Sequence, residues 1–239
     1  MAWGAITGLR WLVLLAAPAA LAAADAVVPA VQASGVFINM RGDVLTARHA
    51  VTDCRTVYVV KNTRVVVASV LALSNEADLA VLQTSFKPLL AATLSEQGAP
   101  AGHSIAVFSE AYALLQALPE RGRVLANALT VPGHPGELQM VSGSRPGASG
   151  SAVLDEGGLL LGLVAERVAA GSGGGVAAMQ PGAPRAGMAT QVRAVPVEEI
   201  RQFLQQVDVP YTQSRRAQIG TLQSPASRAS TLAVGILCG

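Results

Sequence analysis

Short runs of alternating or β-branched hydrophobic residues fill most of the chain after about residue 35, and glycine, asparagine or aspartate separates many of them. Runs of this length and spacing predict β-strands and an all-β fold. The predicted strands form a first group at residues 36–40, 44–47, 56–60, 64–73 and 79–83, and a second group at residues 104–109, 123–130, 138–142, 152–154, 159–165 and 188–192. A turn-rich stretch at residues 96–103 lies between the groups. Two groups of similar size predict two β-units packed side by side.

After the first 24 residues, one segment has the hydrophobic spacing of a helix, and it begins after Pro196. The residues at helical spacing are Val197, Ile200, Phe203 and Leu204. This spacing predicts a helix at residues 197–206 that closes the second unit. The Gly-, Ala- and Pro-rich residues 171–187 have no hydrophobic periodicity and predict a loop. Residues 212–239 are predicted to form a polar tail that ends in a strand-like run.

The first 24 residues have the layout of a secretory signal peptide. A single positive charge, Arg10, precedes an uncharged run rich in alanine and leucine at residues 11–24. Small residues close this run at Ala22 and Ala24, which predicts cleavage just before Asp25. The alternative is an uncleaved anchor helix, although the run is short for a membrane span. Cleavage predicts export, either to a periplasm or out of the cell.

The two cysteines, Cys54 and Cys238, gain significance in an exported protein. An oxidising compartment allows them to form a disulfide, whereas a cytosol would keep them reduced. The sequence fixes no distance between them, so the paired and the free states both stay open at this point. A bond between them would close a loop of nearly the whole domain and tie down the C-terminal tail.

Composition and charge exclude several classes of protein. The 239 residues are 51% hydrophobic and only 13% charged. A chain of this composition is too apolar to be disordered, and it is long enough to bury a sizeable core. The formal net charge is +2 and the basic residues are scattered, so no basic stripe is present to bind nucleic acid. After residue 24 no uninterrupted apolar run reaches the roughly 20 residues of a membrane-spanning helix.

His103 and His134 lack cysteine or acidic partners at metal-ligand spacing, so we predict no metal site and no cofactor.

Three separate neighbourhoods carry residues with catalytic chemistry. His49 follows a predicted strand, Asp78 precedes one, and Ser149 lies between glycines just before another. Taken one at a time, they fit ordinary roles as a loop histidine, a turn aspartate and part of a Gly-Ser loop. Together they fit nucleophilic catalysis, because a serine hydroxyl needs a nearby base and the base needs an orienting buried carboxylate. We therefore predict that the three side chains meet in the cleft between the two β-units.

The residues around these positions resemble the trypsin-like serine proteases, and in particular the secreted bacterial branch similar to HtrA. The resemblance is carried by GDVLTARHAV (residues 42–51), ADLAVL (77–82), GASGSAVLD (147–155), GLLLGLV (158–164) and AVPV (194–197). It covers about residues 35–204. It implies a fold of two six-stranded antiparallel β-barrels, expected at about residues 30–95 and 100–195, with the active site between them and a C-terminal helix.

The resemblance also implies a role for each site residue. His49 is expected to act as the general base, Asp78 as the carboxylate that orients it, and Ser149 as the nucleophile. The backbone N–H groups of Gly147 and Ser149 are expected to form the oxyanion hole. The reaction implied is acyl transfer from a peptide bond to the serine and then to water.

Gly143 and Val164 are the expected substrate-binding residues. Gly143 stands six residues before the nucleophile, at the floor of the family's specificity pocket, and because it is uncharged we predict cleavage after small or medium apolar residues. Ala148 stands where digestive members have an aspartate that pairs with a newly cut N-terminus, so activation of that kind is not expected. Ser151 stands where many members have glycine, although bacterial relatives also have serine there.

The expected organisation is a signal peptide at residues 1–24, a protease domain at residues 25–211 and a tail at residues 212–239, with no PDZ domain after the barrels. The expected partners are polypeptide substrates, with neither nucleic acid nor a stable membrane span, and the sequence makes no prediction of the oligomeric state. Two alternatives to a general endopeptidase stay open. One is a catalytically silent barrel that binds a peptide or a partner protein. The other is an esterase or a protease dedicated to one maturation site.

Overall fold

The computed structural model describes Met1 and residues 31–133, 136–143, 147–168 and 190–239, with only the backbone of residues 167 and 168. The predicted signal peptide and the predicted loop at residues 171–187 lie outside the described residues, as does His134. The strand predicted at residues 188–192 is described only from residue 190 onward.

Strands account for most of the regular structure. In the described part of the chain they are β1 (Ala33–Phe37), β2 (Val44–Thr46), β3 (Val57–Lys61), β4 (Arg64–Leu73), β5 (Ala80–Gln83), β6 (Thr93–Ser95), β7 (Ala106–Val107), β8 (Ala128–Val131), β9 (Leu138–Ser142), β10 (Ala152–Leu154), β11 (Leu160–Val168), β12 (Thr190–Pro196), β13 (Thr212–Ser214) and β14 (Ala233–Cys238). The helices are α1 (Tyr112–Ala117), α2 (Val197–Gln206) and α3 (Pro225–Leu232), and a short 3₁₀ turn occupies Arg48–Ala50.

The first barrel is closed by six antiparallel strands in the order β1, β14, β3, β4, β5 and β2. The C-terminal strand β14 lies between β1 and β3, where Val234 pairs with Gly35 and Ile236 pairs with Val59. Without β14, the facing edges of β1 and β3 would leave their backbone groups unpaired. The expected boundaries are therefore corrected, because this barrel extends beyond residues 30–95 to include residues 233–238. The end of the chain is a buried strand rather than part of a polar tail.

The second barrel consists of the antiparallel strands β7, β8, β9, β12, β11 and β10, in that spatial order. It closes where Phe108, just after β7, pairs with Leu154 of β10 through backbone hydrogen bonds of 2.8 and 2.9 Å. Strands β6 and β13 extend the sheet beyond β11 by parallel pairing. The predicted fold class, two six-stranded antiparallel barrels with a C-terminal helix, is confirmed.

Buried hydrophobic side chains join the two barrels into one body. One cluster fills the first barrel around Phe37, and another fills the second barrel around Met140. A third and larger cluster takes side chains from both barrels and from all three helices, including Leu45, Leu154 and Phe203. Burial of apolar surface is the main favourable contribution to folding. The shared cluster therefore fixes the first barrel relative to the second, and with it the loops that meet between them.

Helix α2 occupies the residues predicted to be helical, whereas α1 and α3 have no counterpart in the prediction. Helix α3 begins with Pro225 after a capping box in which the side chains of Ser224 and Ser227 bond to each other's backbone N–H groups. Its buried residues are Pro225, Ala226, Arg228, Ala229 and Leu232, and with a single large apolar side chain among them the hydrophobic periodicity is weak. Helix α1 is only six residues long and has no side-chain cap of its own at Ala111. Both helices thus lack the sequence signal on which the prediction of α2 rests.

The C-terminal segment is held at both ends. The ammonium group of Lys61 donates three hydrogen bonds to carbonyls around the end of α3. Cys54 and Cys238 form a disulfide with a Cα–Cα distance of 5.1 Å, which confirms the paired alternative.

None of the described helices is long and apolar enough to cross a membrane.

Opening the disulfide is expected to destabilise the protein without removing β14 from the first barrel. The bond spans a sequence separation of 184, for which the loss of chain entropy in the unfolded state is worth about 3–5 kcal/mol. Strand β14 keeps its backbone hydrogen bonds to β1 and β3 in the absence of the bond. Urea unfolding of the oxidised protein and of the Cys54→Ser/Cys238→Ser variant measures the difference. Equal free energies of unfolding would contradict the prediction.

Candidate active site

His49 lies just beyond the end of β2, in the 3₁₀ turn Arg48–Ala50. Strand β2 is entirely buried, and its last residue, Thr46, donates a side-chain hydrogen bond of 2.6 Å to the carbonyl of Ser34. The chain then leaves the barrel wall through Ala47, which has extended backbone angles. This change of direction places the His49 side chain at the surface, where 53% of it is exposed.

Asp78 lies in the tight connection between β4 and β5. The hydroxyl of Ser74 accepts hydrogen bonds from the backbone N–H groups of Glu76 and Ala77, at 3.3 and 3.0 Å. The N–H of Ser74 also donates to the carbonyl of Leu79 at 2.9 Å, which closes the connection. Ser74 therefore sets the shape of this connection, residues 74–79, which we call the Asp78 loop.

The Asp78 carboxylate holds His49 at two points. Its Oδ2 lies 2.7 Å from the ring Nδ1, and its Oδ1 accepts the backbone N–H of His49 at 2.9 Å. An ionised carboxylate only accepts hydrogen bonds, so Nδ1 carries the proton in this pair. The opposite nitrogen of the neutral ring, Nε2, then keeps its lone pair and is able to accept a proton as a base.

The Asp78 carboxylate is less buried than predicted. The Asp78 side chain is 30% exposed, because the connection between β4 and β5 lies at the rim of the first barrel. Ion pairs in contact with water contribute little to folding stability. The value of this pair therefore lies in orientation, since one carboxylate fixes both the ring and the backbone of the histidine.

Ser149 lies in the loop before β10, in a sharp turn that two glycines allow. Gly147 and Gly150 have φ angles of +90° and +81°, a region that residues with a side chain rarely adopt. The N–H of Gly150 donates to the carbonyl of Val164 at 2.7 Å, and the N–H of Ser151 donates to the carbonyl of Ala148 at 2.8 Å. The first bond fastens the loop to β11 of the second barrel, and the second closes the turn within the loop. We call residues 147–151 the nucleophile loop, after the role predicted for Ser149.

The first barrel holds the nucleophile loop from the other side. The backbone N–H of Ser34 donates to the carbonyl of Ser149 at 2.8 Å, and its hydroxyl donates to the carbonyl of Gly147 at 2.8 Å. A Cβ atom added to Gly150 would lie 2.6 Å from the Thr46 hydroxyl oxygen. The loop is thus in close contact with the ends of both β1 and β2.

The structure brings His49 and Asp78 into direct contact and places Ser149 beside the strand that leads to them. Thr46, which borders the nucleophile loop, precedes His49 by three positions. Within the described residues, the His49 ring bonds to Asp78 and not to the Ser149 hydroxyl. Catalytic hydrogen bonds are often long or poorly aligned in the absence of substrate. The participation of Ser149 therefore stays a prediction.

The two N–H groups expected to form the oxyanion hole are free of other described partners. Neither the N–H of Gly147 nor that of Ser149 donates to a backbone carbonyl in the described ranges. The carbonyls of the same two residues are held by Ser34. Donors that are fixed in direction but unoccupied are what a developing negative charge requires.

The two expected substrate-binding residues differ in their surroundings. Gly143 is exposed just after β9, and none of the described atoms lies within 4 Å of the position of an added Cβ. Val164 is 1% exposed, with its side chain in the core of the second barrel and both backbone groups bonded to the nucleophile loop. Val164 therefore positions that loop, and contact of either residue with substrate stays a prediction. The described residues contain no cluster of histidine, cysteine and acidic side chains that could hold a metal ion.

Three residues that support the site were not predicted from the sequence. They are Ser34, Arg48 and Ser74. A guanidinium nitrogen of Arg48 donates to the Ser74 carbonyl at 2.7 Å, which ties the His49 turn to the Asp78 loop. Ser34 is a polar residue inside an otherwise apolar strand, which is the one signal that could have singled it out. The contacts of Arg48 and Ser74 depend on tertiary structure and leave no comparable pattern.

Helix α2 lies beside the Asp78 loop. Glu199 of this helix lines a depression of the surface together with Ser74 and Glu76 of the loop. Burial raises the pKa of Glu199, the nearby charges of Glu198 and Glu76 raise it further, and Arg193 partly offsets them. Ionisation of the Glu199 carboxyl therefore lowers the stability of the folded protein.

Comparison with known proteins identifies the family of the chain. A family model described as a trypsin-like peptidase domain matches residues 33–163, more than half of the chain. The matched region includes His49, Asp78 and the whole nucleophile loop. No curated protein matches the sequence.

Solved structures of similar fold include HtrA-type proteases. A serine endoprotease from Yersinia pestis is 18% identical, with a TM-score of 0.52 over 73% of this chain and 57% of that one. The HtrA-type protease AlgW, solved with a decapeptide, is 20% identical, with a TM-score of 0.52 over 74% of this chain and 51% of that one. At these identities the likeness concerns the fold. This chain spans little more than half the length of either protein.

Gly150→Ala is expected to destabilise the protein more than Gly102→Ala. The two glycines have nearly equal φ angles of +81° and +83°, so each substitution costs about 1–2 kcal/mol of backbone strain. Only at Gly150 does the added methyl group meet Ser34 and Thr46, whereas Gly102 faces open space. The contact should add about 1–3 kcal/mol. Chemical denaturation of both variants measures the difference, and equal losses would show that the nucleophile loop is not tightly packed against β1 and β2.

Glu199→Gln is expected to stabilise the protein at pH 7 but not at pH 4. The folded-state pKa of Glu199 lies above its usual value of 4.5, so the ionised form destabilises the folded state once the pH exceeds that raised pKa. Below the usual value the carboxyl is mostly protonated in both states, so most of the cost disappears. Unfolding by urea at both pH values tests this. A variant less stable than the wild type at pH 7 would contradict the prediction.

Proposed function

Because the chain belongs to the trypsin-like peptidase domain family, we propose that it is a serine endopeptidase that cleaves polypeptides through an acyl-enzyme formed on Ser149. One observation carries this proposal, the double contact of the Asp78 carboxylate with the ring and the backbone of His49. A histidine held in this way has one protonated nitrogen fixed and the other free to act as a base. AlgW, a protease of similar fold, supports polypeptides as the class of substrate.

In the proposed first step, the hydroxyl oxygen of Ser149 attacks the carbonyl carbon of the scissile peptide bond. Its proton moves to Nε2 of His49, which becomes a positively charged imidazolium. Asp78 stabilises that charge through the contact with Nδ1 and is not itself protonated. The role of Asp78 is thus electrostatic and orienting.

The oxyanion that forms on the substrate carbonyl is bound by the backbone N–H groups of Gly147 and Ser149. Fixed donors aimed at a developing charge contribute strongly to catalysis, because they need no reorganisation during the reaction. The positive φ angle of Gly147 supports this assignment, since it turns the backbone at the start of the nucleophile loop.

The tetrahedral intermediate collapses when His49 returns its proton to the leaving nitrogen and the C–N bond breaks. The N-terminal part of the substrate stays bound to Ser149 as an ester. A water molecule then gives a proton to His49 and attacks the ester carbon, and the second collapse restores the serine hydroxyl and releases a carboxylic acid. The cycle uses no redox step and returns every group to its starting state.

The proposed substrates have small or medium apolar side chains before the cleaved bond. Gly143 contributes no charge at the expected pocket floor, so a lysine or arginine side chain of the substrate would find no acidic partner there. Ala148 is 2% exposed and carries no carboxylate to pair with a newly formed N-terminus. We therefore expect activity without the zymogen activation of digestive enzymes.

We place the mature enzyme outside the cytosol, in the periplasm or beyond it. The N-terminal residues 1–24 have the three-part layout of a signal peptide. The disulfide between Cys54 and Cys238 supports an oxidising compartment, since cytosolic proteins rarely keep such bonds.

Replacing the proposed catalytic residues tests the assignment. His49→Ala and Ser149→Ala are expected to lower kcat by several orders of magnitude, and Asp78→Asn by about 10³- to 10⁴-fold. The measurement is turnover of a fluorogenic peptide library with the purified mature chain. His103→Ala is the matched control, because this histidine is exposed and, within the described residues, shares no hydrogen bond with the site.

The outcomes separate the alternative functions. Peptide cleavage that His49→Ala and Ser149→Ala abolish supports the endopeptidase. Peptide binding without cleavage by the wild type would replace it with a catalytically silent binding barrel. Hydrolysis of activated esters without cleavage of any library peptide would favour an esterase or a dedicated maturation protease. Unchanged peptide turnover by His49→Ala would refute the catalytic assignment itself.

A further inference from the structure

We infer that Ser34 is a positioning residue for the oxyanion hole, acting through the carbonyl groups of Gly147 and Ser149. The inference rests on the proposed function, because it assigns to Ser34 the alignment of the N–H groups that would bind the oxyanion. Ser34 lies in β1 and is completely buried, so it does not touch substrate.

The three polar groups of Ser34, its N–H, its carbonyl and its hydroxyl, make four hydrogen bonds to residues around the site. Its N–H donates to the Ser149 carbonyl at 2.8 Å, and its hydroxyl donates to the Gly147 carbonyl at 2.8 Å. Its hydroxyl also accepts the N–H of Tyr112 at 2.9 Å, and its carbonyl accepts the hydroxyl of Thr46 at 2.6 Å. One buried residue thus connects the nucleophile loop with β2 and α1.

The direction of the Ser34 hydroxyl proton follows from its partners. The N–H of Tyr112 can only donate, so the hydroxyl oxygen must accept from it. The single hydroxyl proton is then directed to the Gly147 carbonyl, which can only accept. Tyr112 is the first residue of α1, and Ala111 before it offers no side-chain cap. Ser34 therefore caps α1 and fixes the loop with the same hydroxyl group.

These bonds restrain the peptide planes on both sides of the one that matters for catalysis. The Gly147 carbonyl belongs to the plane between residues 147 and 148, and the Ser149 carbonyl to the plane between residues 149 and 150. The plane between them carries the N–H of Ser149, one of the two proposed oxyanion donors. Both neighbouring planes are held from β1, so this N–H keeps its direction.

The nucleophile loop needs such an external restraint. Gly147 and Gly150 allow the turn, but glycine has more conformational freedom than any other residue. A loop free to rotate would present its N–H groups to substrate only part of the time, whereas catalysis depends on donors that are aligned in advance. Strand β1 is itself fixed by β2 and β14, and so it provides a rigid support.

Ser34→Ala tests this assignment, and Thr84→Val is the matched control. The hydroxyl of Thr84 is also buried in the first barrel, where it donates to the Gly42 carbonyl and accepts the N–H of Phe86. Both substitutions leave one carbonyl and one N–H without their partner. We expect similar decreases in melting temperature, so a difference in catalysis between them cannot result from stability alone.

The measurements are kcat and KM for a fluorogenic peptide that the wild type cleaves, and the binding of a peptidyl aldehyde. The aldehyde forms a tetrahedral adduct with the serine and places an oxyanion in the hole. Ser34→Ala is expected to lower kcat and to weaken binding of the aldehyde, each by about 10- to 100-fold, with KM changed less than about twofold. Thr84→Val is expected to leave all three values unchanged.

Thr46→Val provides a second variant in case Ser34→Ala does not fold. It removes the hydrogen bond to the Ser34 carbonyl while nearly preserving the side-chain shape, and we expect a smaller loss confined to kcat and aldehyde binding. Wild-type kcat in every folded variant of Ser34 and Thr46 would overturn the inference, as would equal losses in Ser34→Ala and Thr84→Val. A wild type that cleaves no peptide would refute the proposed function, and this inference with it.

Discussion

The seating of the nucleophile loop against strand β1 is the contact on which the rest of the site depends. His49 and Asp78 belong to the first barrel and Ser149 to the second, so no interaction within one barrel can set the distance between them. Hydrogen bonds from Ser34 cross the boundary between the barrels and reach the carbonyls of Gly147 and Ser149. The approach is so close that residue 150 has no room for a side chain.

The C-terminal strand supports this contact from the far side of β1. Strand β14 pairs with β1 so that Gly235 lies opposite Ser34, and it also closes the barrel that carries His49 and Asp78. The disulfide ties the end of β14 to the segment that follows His49. The strands at residues 33–37 and 233–238 are therefore neighbours in one barrel wall. Loss of the C-terminal strand would be expected to affect the geometry of the site as well as stability.

The sequence predicts the parts of the fold that have local signals. Alternating hydrophobic runs predict most strands of both barrels, and helical spacing predicts α2. It does not predict that β14 belongs to the first barrel, because pairing between strands so distant in the chain has no local pattern. Helix α3 escapes prediction because Leu232 is the one large apolar side chain on its buried face, and α1 because it is short and takes its cap from β1. In the site, His49 and Asp78 follow from motif and chemistry, whereas the role of Ser34 depends entirely on where tertiary folding places it.

The most direct test of the account is to locate the atom that an activated-serine reagent modifies. The chain should be treated with a fluorophosphonate, digested and mapped by mass spectrometry, in parallel with His49→Ala. We expect one adduct on the wild type, on Ser149, and none on His49→Ala, because the serine reacts only when the histidine takes its proton. A modification on another hydroxyl group, or the same modification in His49→Ala, would contradict the claim that the two barrels bring His49 and Ser149 together.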